Sequence, residues 1–228
     1  MARLGFLVAL GVASLTLILM SFYLAVIRGE GPLQNPTTIV ISPGVGLRSI
    51  SILVEDAQII KSAQLFAVYA QLAGLSGQLK AGEYNFEIGE SGQKVINKLI
   101  SHDVVLRSIT VPEGLTSAQI TSLLFEKEGL SGDLQSGIPE GTLLPETYNY
   151  ELSEKRTVLV ERMQRALTRK LLSFGAEVLL PSPLSSVEQV VILASIVEKE
   201  TSVPHERARI AGVFINRLNA GMRLQSDP

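Results

Sequence analysis

An uncharged run of 24 residues, from Leu4 to Ile27, constrains this chain more than any other feature. A helix of that length, rising about 1.5 Å per residue, crosses a hydrocarbon core of about 30 Å with some tilt. Arg3 precedes the run and predicts a cytoplasmic N terminus, although Arg28 beyond it weakens the asymmetry. A cleaved signal peptide is the alternative, but its apolar part is about 7–15 residues long and is followed by a cleavage site. We therefore expect an uncleaved transmembrane anchor within residues 1–28.

The composition excludes several classes of site. The 228 residues suffice for one large domain or two small ones, and the net charge of −2 leaves no basic surplus for nucleic acid. The chain has no cysteine, which excludes disulfides, thiolate zinc sites and a cysteine nucleophile. Its two histidines, His102 and His205, are too few for a typical zinc site. We expect no metal, no cofactor and no nucleic-acid partner.

Residues 29–37 are rich in glycine, proline and polar residues and are predicted to be a linker. Residues 38–111 alternate between short β-branched segments and segments with helical apolar spacing, which predicts a small α+β module. Its first part, strand–helix–helix–strand, is similar to a LysM domain, a carbohydrate-binding fold. Tyr84 and Phe86 share one side of the second strand and could stack on sugar, but core positions are favoured. The predicted strands are Thr38–Ser42, Leu79–Ile88 and Val104–Val111, and the predicted helices are Leu47–Ile60, Ser62–Ala73 and Ser91–Ser101.

Residues 112–228 are predicted to form a second domain, mainly of helices with some strand. Thr116 and Gln119 have the spacing of a capping box, and so do Ser185 and Glu188. The segment Ile138–Tyr150 is irregular and could line a cleft, although an ordinary surface loop is favoured by its composition alone. A long amphipathic helix is predicted at Thr157–Phe174. The helix that follows Ser185 is apolar nearly all round, so we expect it to be buried.

Two acids, Glu198 and Glu200, follow the apolar run Val190–Val197. At about 100° per residue they point about 200° apart on a helix, so the spacing does not choose between them. One interpretation is a proton donor, because apolar surroundings raise the pKa of a carboxyl group. The other interpretation is structural, with helix-end carboxylates paired to Lys199, Arg207 or Arg209, and spacing alone favours it.

Several blocks of the second domain resemble a known enzyme family. They are ASIVEKET (Ala194–Thr201), ER (Glu206–Arg207), VFINRL (Val213–Leu218), GMRLQSDP (Gly221–Pro228), PEGLTSAQI (Pro112–Ile120) and EGTLLPETY (Glu140–Tyr148). In this order they resemble the MltG-type (YceG-like) endolytic murein transglycosylases, as do the anchor and the LysM-like module. Glu146 stands where the family is expected to have Asp. Family members continue past Pro228, so we expect the C-terminal part of the catalytic domain to be missing from this sequence.

The resemblance implies a lytic reaction on peptidoglycan. Such enzymes cleave the β-1,4 bond between MurNAc and GlcNAc without water and leave 1,6-anhydroMurNAc ends. The family's catalytic acid falls on Glu200. The substrate contacts predicted with it are Glu198, Asn216, Arg217, Gln225, Asp227 and Tyr148.

The resemblance also implies a place and partners. The anchor would hold the protein in the inner (cytoplasmic) membrane of a bacterium, with the globular part outside the cytoplasm. Peptidoglycan glycan strands would be its substrate and peptidoglycan synthases its protein partners, and cleavage could terminate nascent strands. Two other classes stay open, namely a membrane-anchored peptidoglycan-binding protein without activity and a scaffold of a wall-synthesis complex.

Overall fold

The computed structural model describes residues 25–134, 137–177 and 180–225, together with residues 10, 11, 14, 17, 20, 21 and 23. The chain forms two compact units, Met1–Val105 and Leu106–Pro228, each built from helices and strands. The α+β class predicted from the sequence is therefore confirmed. The division lies earlier than the predicted boundary at Val111, because the strand expected to close the first module pairs within the second unit.

The described residues between positions 10 and 28 are helical. Within the part of the chain that the structure describes, no helix combines the length and apolar character needed to cross a membrane. The anchor predicted for residues 1–28 falls largely on residues outside that part. Ile27, at the end of this helical stretch, is only 3% exposed.

The first unit continues with the element order predicted for it, strand, helix, helix, strand and helix. Its two strands pair antiparallel, with Ile39 opposite Tyr84. The likeness of this arrangement to a LysM domain stays a prediction. In chain order the elements are β1 (Thr37–Ile41), α1 (Leu47–Asp56), α2 (Ala63–Leu72), β2 (Gly82–Phe86) and α3 (Gly92–Ser101).

The aromatic pair on β2 belongs to the core of this unit. Tyr84 and Phe86 are both fully buried, and the Tyr84 hydroxyl donates to the Lys80 carbonyl at 2.8 Å. Stacking of these rings on sugar is therefore wrong, and the core positions favoured by the sequence are confirmed. The helix α2 faces this core with its small and aromatic residues, Ala63, Phe66 and Ala70.

The segment Gly29–Thr37, predicted to be a linker, is packed against the first unit. Leu33 is 7% exposed and belongs to the core. The backbone at Gly31 is so close to the rest of the unit that an added Cβ would lie 2.4 Å from the Ile59 carbonyl oxygen and 2.5 Å from that of Glu90. Glycine fits at position 31 because it has no side chain to clash there.

The second unit combines two short sheets with longer helices. Strand β3 pairs antiparallel with β5, with Ile109 opposite Tyr148, and β4 pairs in parallel with β6. In chain order the elements are β3 (Arg107–Thr110), α4 (Ser117–Glu126), β4 (Leu130–Ser131), β5 (Thr147–Tyr150), β6 (Glu154–Lys155), α5 (Arg156–Glu177), α6 (Val187–Glu200), a 3-10 turn (Pro204–Glu206) and α7 (Arg207–Asn219).

Helix caps confirm one of the two predicted capping boxes. At α4 the Thr116 side chain accepts from the Gln119 amide and the Gln119 side chain accepts from the Thr116 amide. At α6 the prediction was wrong by one residue, because Ser186 is the N-cap and its hydroxyl accepts from the amide of Gln189.

The apolar helix α6 is buried on one side. Leu193 and Val197 pack with Phe214 of α7 and form the centre of a small core. Ile192, however, is 61% exposed. The prediction of a fully buried α6 was therefore wrong, because in the described part of the chain α7 is its main helical neighbour and covers one face of it.

Candidate active site

Glu200 is the last residue of α6, and its side chain is exposed. It makes no hydrogen bond and no ion pair with any residue that the structure describes. The structural alternative, a helix-end carboxylate tied to a neighbouring cation, therefore does not hold for Glu200. The predicted apolar enclosure does not hold either, since the described residues leave this carboxyl group open to solvent.

Thr201 ends the helix directly behind Glu200 and holds the chain in a fixed turn. Thr201 is only 8% exposed, although threonine is mostly an exposed residue type in folded proteins. The Thr201 hydroxyl donates to a Glu206 carboxylate oxygen at 3.0 Å and accepts from the Val203 amide at 3.0 Å. A hydroxyl engaged as both donor and acceptor fixes the backbone just past position 200.

Glu198, the other acid of the pair, is half-buried and already paired. Arg207 Nη2 lies 2.9 Å from Glu198 Oε2 and 3.7 Å from Glu113 Oε2. The structural interpretation is thus confirmed for Glu198, with Arg207 as its partner. The guanidinium joins the end of α6, the start of α7 and the segment before α4.

That segment, Pro112–Leu115, lies directly on the end of α6. Gly114 has a φ of +77°, and a Cβ built on it would lie 3.7 Å from Glu198 Cγ and 3.8 Å from Lys199 Nζ. A left-handed conformation is the one that glycine adopts at little cost. The turn at Gly114 therefore brings the block PEGL to Glu198 and Lys199 of EKET, about 85 residues further along the chain.

The loop before β5 is fixed by a carboxylate at a helix N terminus. Both oxygens of Glu140 accept from the Ser117 amide, at 2.9 and 3.1 Å, and the Ser117 hydroxyl donates to the Pro139 carbonyl. A carboxylate at a helix N terminus accepts hydrogen bonds from backbone amides that have no partner within the helix, and the helix dipole stabilises its negative charge. Beyond this anchor, Gly141 approaches α6, where a Cβ built on it would lie 3.6 Å from Val191 Cγ1. The loop thus borders α6, as a cleft wall would.

Tyr148 does not contribute to this surface. It is 8% exposed, lies in the core of the second unit, and donates its hydroxyl to the Leu144 carbonyl at 2.7 Å. Burial, followed by the nearby Glu146 carboxylate, raises the pKa of Tyr148. The expected substrate contact is therefore corrected, since alternation along β5 points this ring inward and its neighbours Thr147 and Asn149 outward.

The remaining predicted contacts are not gathered around Glu200. Leu218, at the C-terminal end of α7, lines a groove with Gln189 and Ile192 from the first half of α6. Glu200 lies about 12 Å along the helix axis from Ile192. Asn216 and Arg217 precede Leu218 on α7, so the structure places them towards the other end of α6.

Two of these residues differ in what they contact. Asn216 is exposed, whereas a guanidinium nitrogen of Arg217 donates to the Leu224 carbonyl and closes the turn after α7. Gln225 is exposed and has a φ of 49°. Asp227 lies outside the described residues.

The groove between α6 and α7 has a volume of about 230 Å³ and a mainly apolar lining. Gln189 is its one polar lining residue among those that the structure describes. Sugar recognition needs convergent polar groups, so this groove does not resemble a glycan subsite. The lining residues are Pro183, Leu184, Gln189, Ile192, Leu193, Ile196, Leu218 and Leu224.

The sequence did not indicate which residues contact Glu198 and hold Thr201 in place. Glu113 and Gly114 were visible as part of a family block but carried no signal for contact with Glu198. Glu206, whose carboxylate accepts from the Thr201 hydroxyl, lies within the ER block, five residues away. The polar turn after the end of α6 is the sequence signal from which this contact could have been predicted. Glu140 was noted in its loop, but its partner Ser117 is 23 residues away.

Comparisons with known proteins agree with the resemblance. The profile of the YceG-like family matches residues 39–228. The endolytic murein transglycosylase of Streptococcus pneumoniae serotype 2 (strain D39 / NCTC 7466) is 28% identical over 232 residues, which cover 83% of this chain and 42% of that protein. The endolytic murein transglycosylase of Bacillus subtilis (strain 168) is 26% identical over 227 residues, covering 86% of this chain and 62% of that protein.

A 2.6 Å crystal structure of a yceG-like protein from Listeria monocytogenes is 24% identical, covers 86% of this chain and 74% of that chain, and superimposes with a TM-score of 0.41. The present chain spans 42% to 62% of the length of the two curated relatives described above. The family profile nevertheless extends over most of the chain, from the first strand to the last residue. This chain therefore belongs to the YceG-like family.

Proposed function

We propose that the protein is a membrane-anchored peptidoglycan lytic transglycosylase in which Glu200 acts first as the acid and then as the base. Family membership and the names of the curated relatives support the reaction class. The observation that carries the residue assignment is the contrast within the acid pair. Glu198 is engaged by Arg207, whereas Glu200 is exposed at a helix end and makes no ion pair with a described residue.

A single free carboxyl group suits lytic chemistry. Hydrolysis of a glycoside requires a second carboxylate, either to activate water or to form a covalent intermediate. In the lytic reaction Glu200 protonates the oxygen that leaves the anomeric carbon of MurNAc. The C6 hydroxyl of the same sugar attacks that carbon, and Glu200 takes its proton, so a 1,6-anhydro end forms and the acid is regenerated. The intramolecular nucleophile replaces water and supplies a high effective concentration.

The test compares Glu200→Gln with Glu188→Gln in purified protein incubated with peptidoglycan sacculi. Glu188 is an exposed acid at the first turn of the same helix and serves as the matched control. We expect Glu200→Gln to lose 1,6-anhydromuropeptide products while still sedimenting with sacculi, and Glu188→Gln to form them at the rate of the unaltered protein. Continued product formation by Glu200→Gln would overturn the assignment of this residue.

Two further outcomes separate the reaction classes. Digestion in H₂¹⁸O labels the reducing ends made by a hydrolase and leaves anhydro ends unlabelled, so label in the products would show hydrolysis. Binding to sacculi without any cleavage by the unaltered protein would favour a non-catalytic peptidoglycan-binding or scaffold protein.

We also propose that the N-terminal run spans the inner membrane, with the N terminus in the cytoplasm and the catalytic unit outside it. The absence of native cysteine makes this testable with single introduced thiols. A thiol at exposed Glu146 should react with a membrane-impermeant maleimide in intact spheroplasts, whereas a thiol next to Met1 should react only after lysis. The reverse pattern would contradict the topology.

The biological role that follows is release of growing glycan strands next to the synthases that make them. Cells without the protein should then contain longer glycan strands, and cells carrying Glu200→Gln should match them. Unchanged strand lengths would argue for a role in mature wall instead.

A further inference from the structure

We propose that one face of α2 rests on the outer surface of the lipid bilayer, beside the N-terminal helix. This face, the α2 stripe, consists of Leu65, Val68, Tyr69 and Leu72, which recur at the spacing of one helix side. Val68 is 43% and Leu72 is 79% exposed. The opposite side of α2 fills the core, and Tyr69 also packs against that core, so Val68 and Leu72 are the residues of the stripe that are exposed.

The stretch of sequence that contains the stripe lacks charge. Positions 62–79 contain no Asp, Glu, Lys or Arg, although they include all of α2 and the turn that follows it. A helix facing water on one side normally carries charged or polar residues there, and the exposed polar residues of α2 are Gln64 and Gln71, which lie beside the stripe. Neighbouring exposed apolar residues on an uncharged helix face, here Val68 and Leu72, suit contact with another apolar phase.

Contacts with the N-terminal helix fix where the stripe lies. The rings of Tyr23 and Tyr69 are 6.5 Å apart between centroids. Ile27 is buried, and Gly31 and Leu33 are packed into the first unit, so the chain between the helix and the module is held in place. Tyr69 therefore lies at the same height as Tyr23 along the axis of the N-terminal helix. That height is about 6 Å from Ile27, the last residue of the apolar run.

This level corresponds to the interface of a bilayer that the run would cross. Tyrosine rings are enriched at that depth because they have an apolar body and a polar tip. Tyr23 and Tyr69 would sit together there, with Val68 and Leu72 entering the lipid from the same helix side. The inference rests on the proposed membrane anchor.

Cations at the edge of the charge-free surface favour a bilayer over a protein partner. Arg28, Lys61 and Lys80 are exposed, and a Cβ built on Gly29 would lie 3.9 Å from Lys61 Nζ. Lys61 thus lies at the end of the N-terminal helix, where lipid headgroups begin. Basic side chains at this level attract anionic headgroups. Exposed acids of the same unit include Glu30, Asp56 and Glu87. The partner we assign to the stripe is therefore a bilayer surface that contains anionic lipid.

The experiment places single cysteines in the cysteine-free chain, labels each with an environment-sensitive fluorophore, and reconstitutes the full chain in vesicles of phosphatidylcholine and phosphatidylglycerol in equal parts. Val68→Cys and Leu72→Cys report on the stripe, and Leu17→Cys reports on the anchor. Val40→Cys is the matched control, because Val40 is an apolar residue of the same unit that is 49% exposed. It lies on the side of β1 that faces away from the core.

We expect emission from Val68→Cys and Leu72→Cys to shift to the blue in vesicles and to lose most of its intensity to a lipid nitroxide carried near the headgroup. Emission from Leu17→Cys should be quenched by a nitroxide deep in the acyl chains, and emission from Val40→Cys by neither. Quenching of Leu17→Cys without quenching of the stripe would overturn the proposal and leave the anchor intact.

Two other outcomes also overturn the proposal and have distinct signatures. A water-exposed Leu17→Cys would show that the anchor itself fails. Oxidative cross-linking of Leu72→Cys between two chains in vesicles, without quenching by lipid, would show that a second copy covers the stripe.

Discussion

The guanidinium of Arg207 lies 2.9 Å from the carboxylate of Glu198, and this pair ties the first turn of α7 to the last turn of α6. The pair neutralises one of the two acids that the sequence places side by side. Glu200 is exposed and makes no ion pair with a residue that the structure describes. The proposed one-carboxylate mechanism rests on this division between the two acids, and the Arg207–Glu198 pair itself can be measured.

A double-mutant cycle of Arg207→Ala and Glu198→Gln should give a coupling energy of about 0.5–1 kcal/mol, because the two side chains are partly exposed and water screens them. The matched control is the pair Arg165 and Glu161 on α5, which is 3.9 Å apart and more exposed, and its coupling should be smaller. Denaturant unfolding measures both. Equal coupling energies would contradict a specific role for the Arg207 pair.

Replacement of Thr201 should weaken both the fold and the activity. Thr201→Ala removes a donor to Glu206 and an acceptor for the Val203 amide in a nearly buried position, which should lower the free energy of unfolding by about 1–3 kcal/mol. Thr201→Ser keeps the hydroxyl and should restore most of the stability. If the turn positions Glu200, anhydro-product formation should follow the hydroxyl, falling in Thr201→Ala and recovering in Thr201→Ser at a temperature where both are folded.

Gly114 and Gly132 provide a test of the contact between Pro112–Leu115 and α6. Both have φ values in the left-handed region, +77° and +72°, so replacement by alanine should cost each about 1–2 kcal/mol of folding stability. A Cβ at Gly114 meets Glu198 and Lys199 at ordinary contact distance, whereas a Cβ at Gly132 has no atom of a described residue within 4 Å. We expect Gly114→Ala, and not Gly132→Ala, to reduce turnover of peptidoglycan. Equal turnover in the two variants would show that this segment does not support the site.

Local signals in the sequence predicted local structure well. The capping box of Thr116 and Gln119 formed as expected because both partners lie within one helical turn. Tyr84 and Phe86 entered the core because alternate residues of a strand face the same side. The order of the elements in the first unit followed from the same periodicities.

Features that depend on distant partners could not be predicted in this way. The strand at Arg107–Thr110 was assigned to the first module, but its partner Thr147–Tyr150 lies in the second unit, and strand propensity does not identify a partner. Glu140 caps α4 through Ser117, a contact that no periodicity encodes. Apolar composition predicted burial of α6 on every side, whereas burial depends on how many neighbours pack on it. The family blocks placed both acids in one candidate site but did not indicate that Glu198 is the paired one, and the role of Glu200 stays a prediction.

Tyr148→Phe distinguishes a core tyrosine from a substrate contact. The variant loses the hydrogen bond to the Leu144 carbonyl, so we expect a loss of about 1 kcal/mol in the free energy of unfolding at neutral pH. Anhydro-product formation should be retained, because the hydroxyl faces the core and not the surface around Glu200. A large loss of activity without loss of stability would restore Tyr148 as a substrate contact.

The same variant should change how stability depends on alkaline pH. Burial raises the pKa of Tyr148 in the folded chain, and burial also raises that of Tyr150, while tyrosine in the unfolded chain ionises near pH 10. Folding therefore favours the neutral tyrosine. The stability that Tyr148 contributes is complete below about pH 10, where the unfolded chain is also neutral, and it is lost as the pH rises through the folded-state pKa. Urea unfolding between pH 8 and about pH 11 should show a shallower decline for Tyr148→Phe than for the unaltered protein. A parallel decline in the two proteins would contradict a raised pKa for Tyr148 in the folded chain.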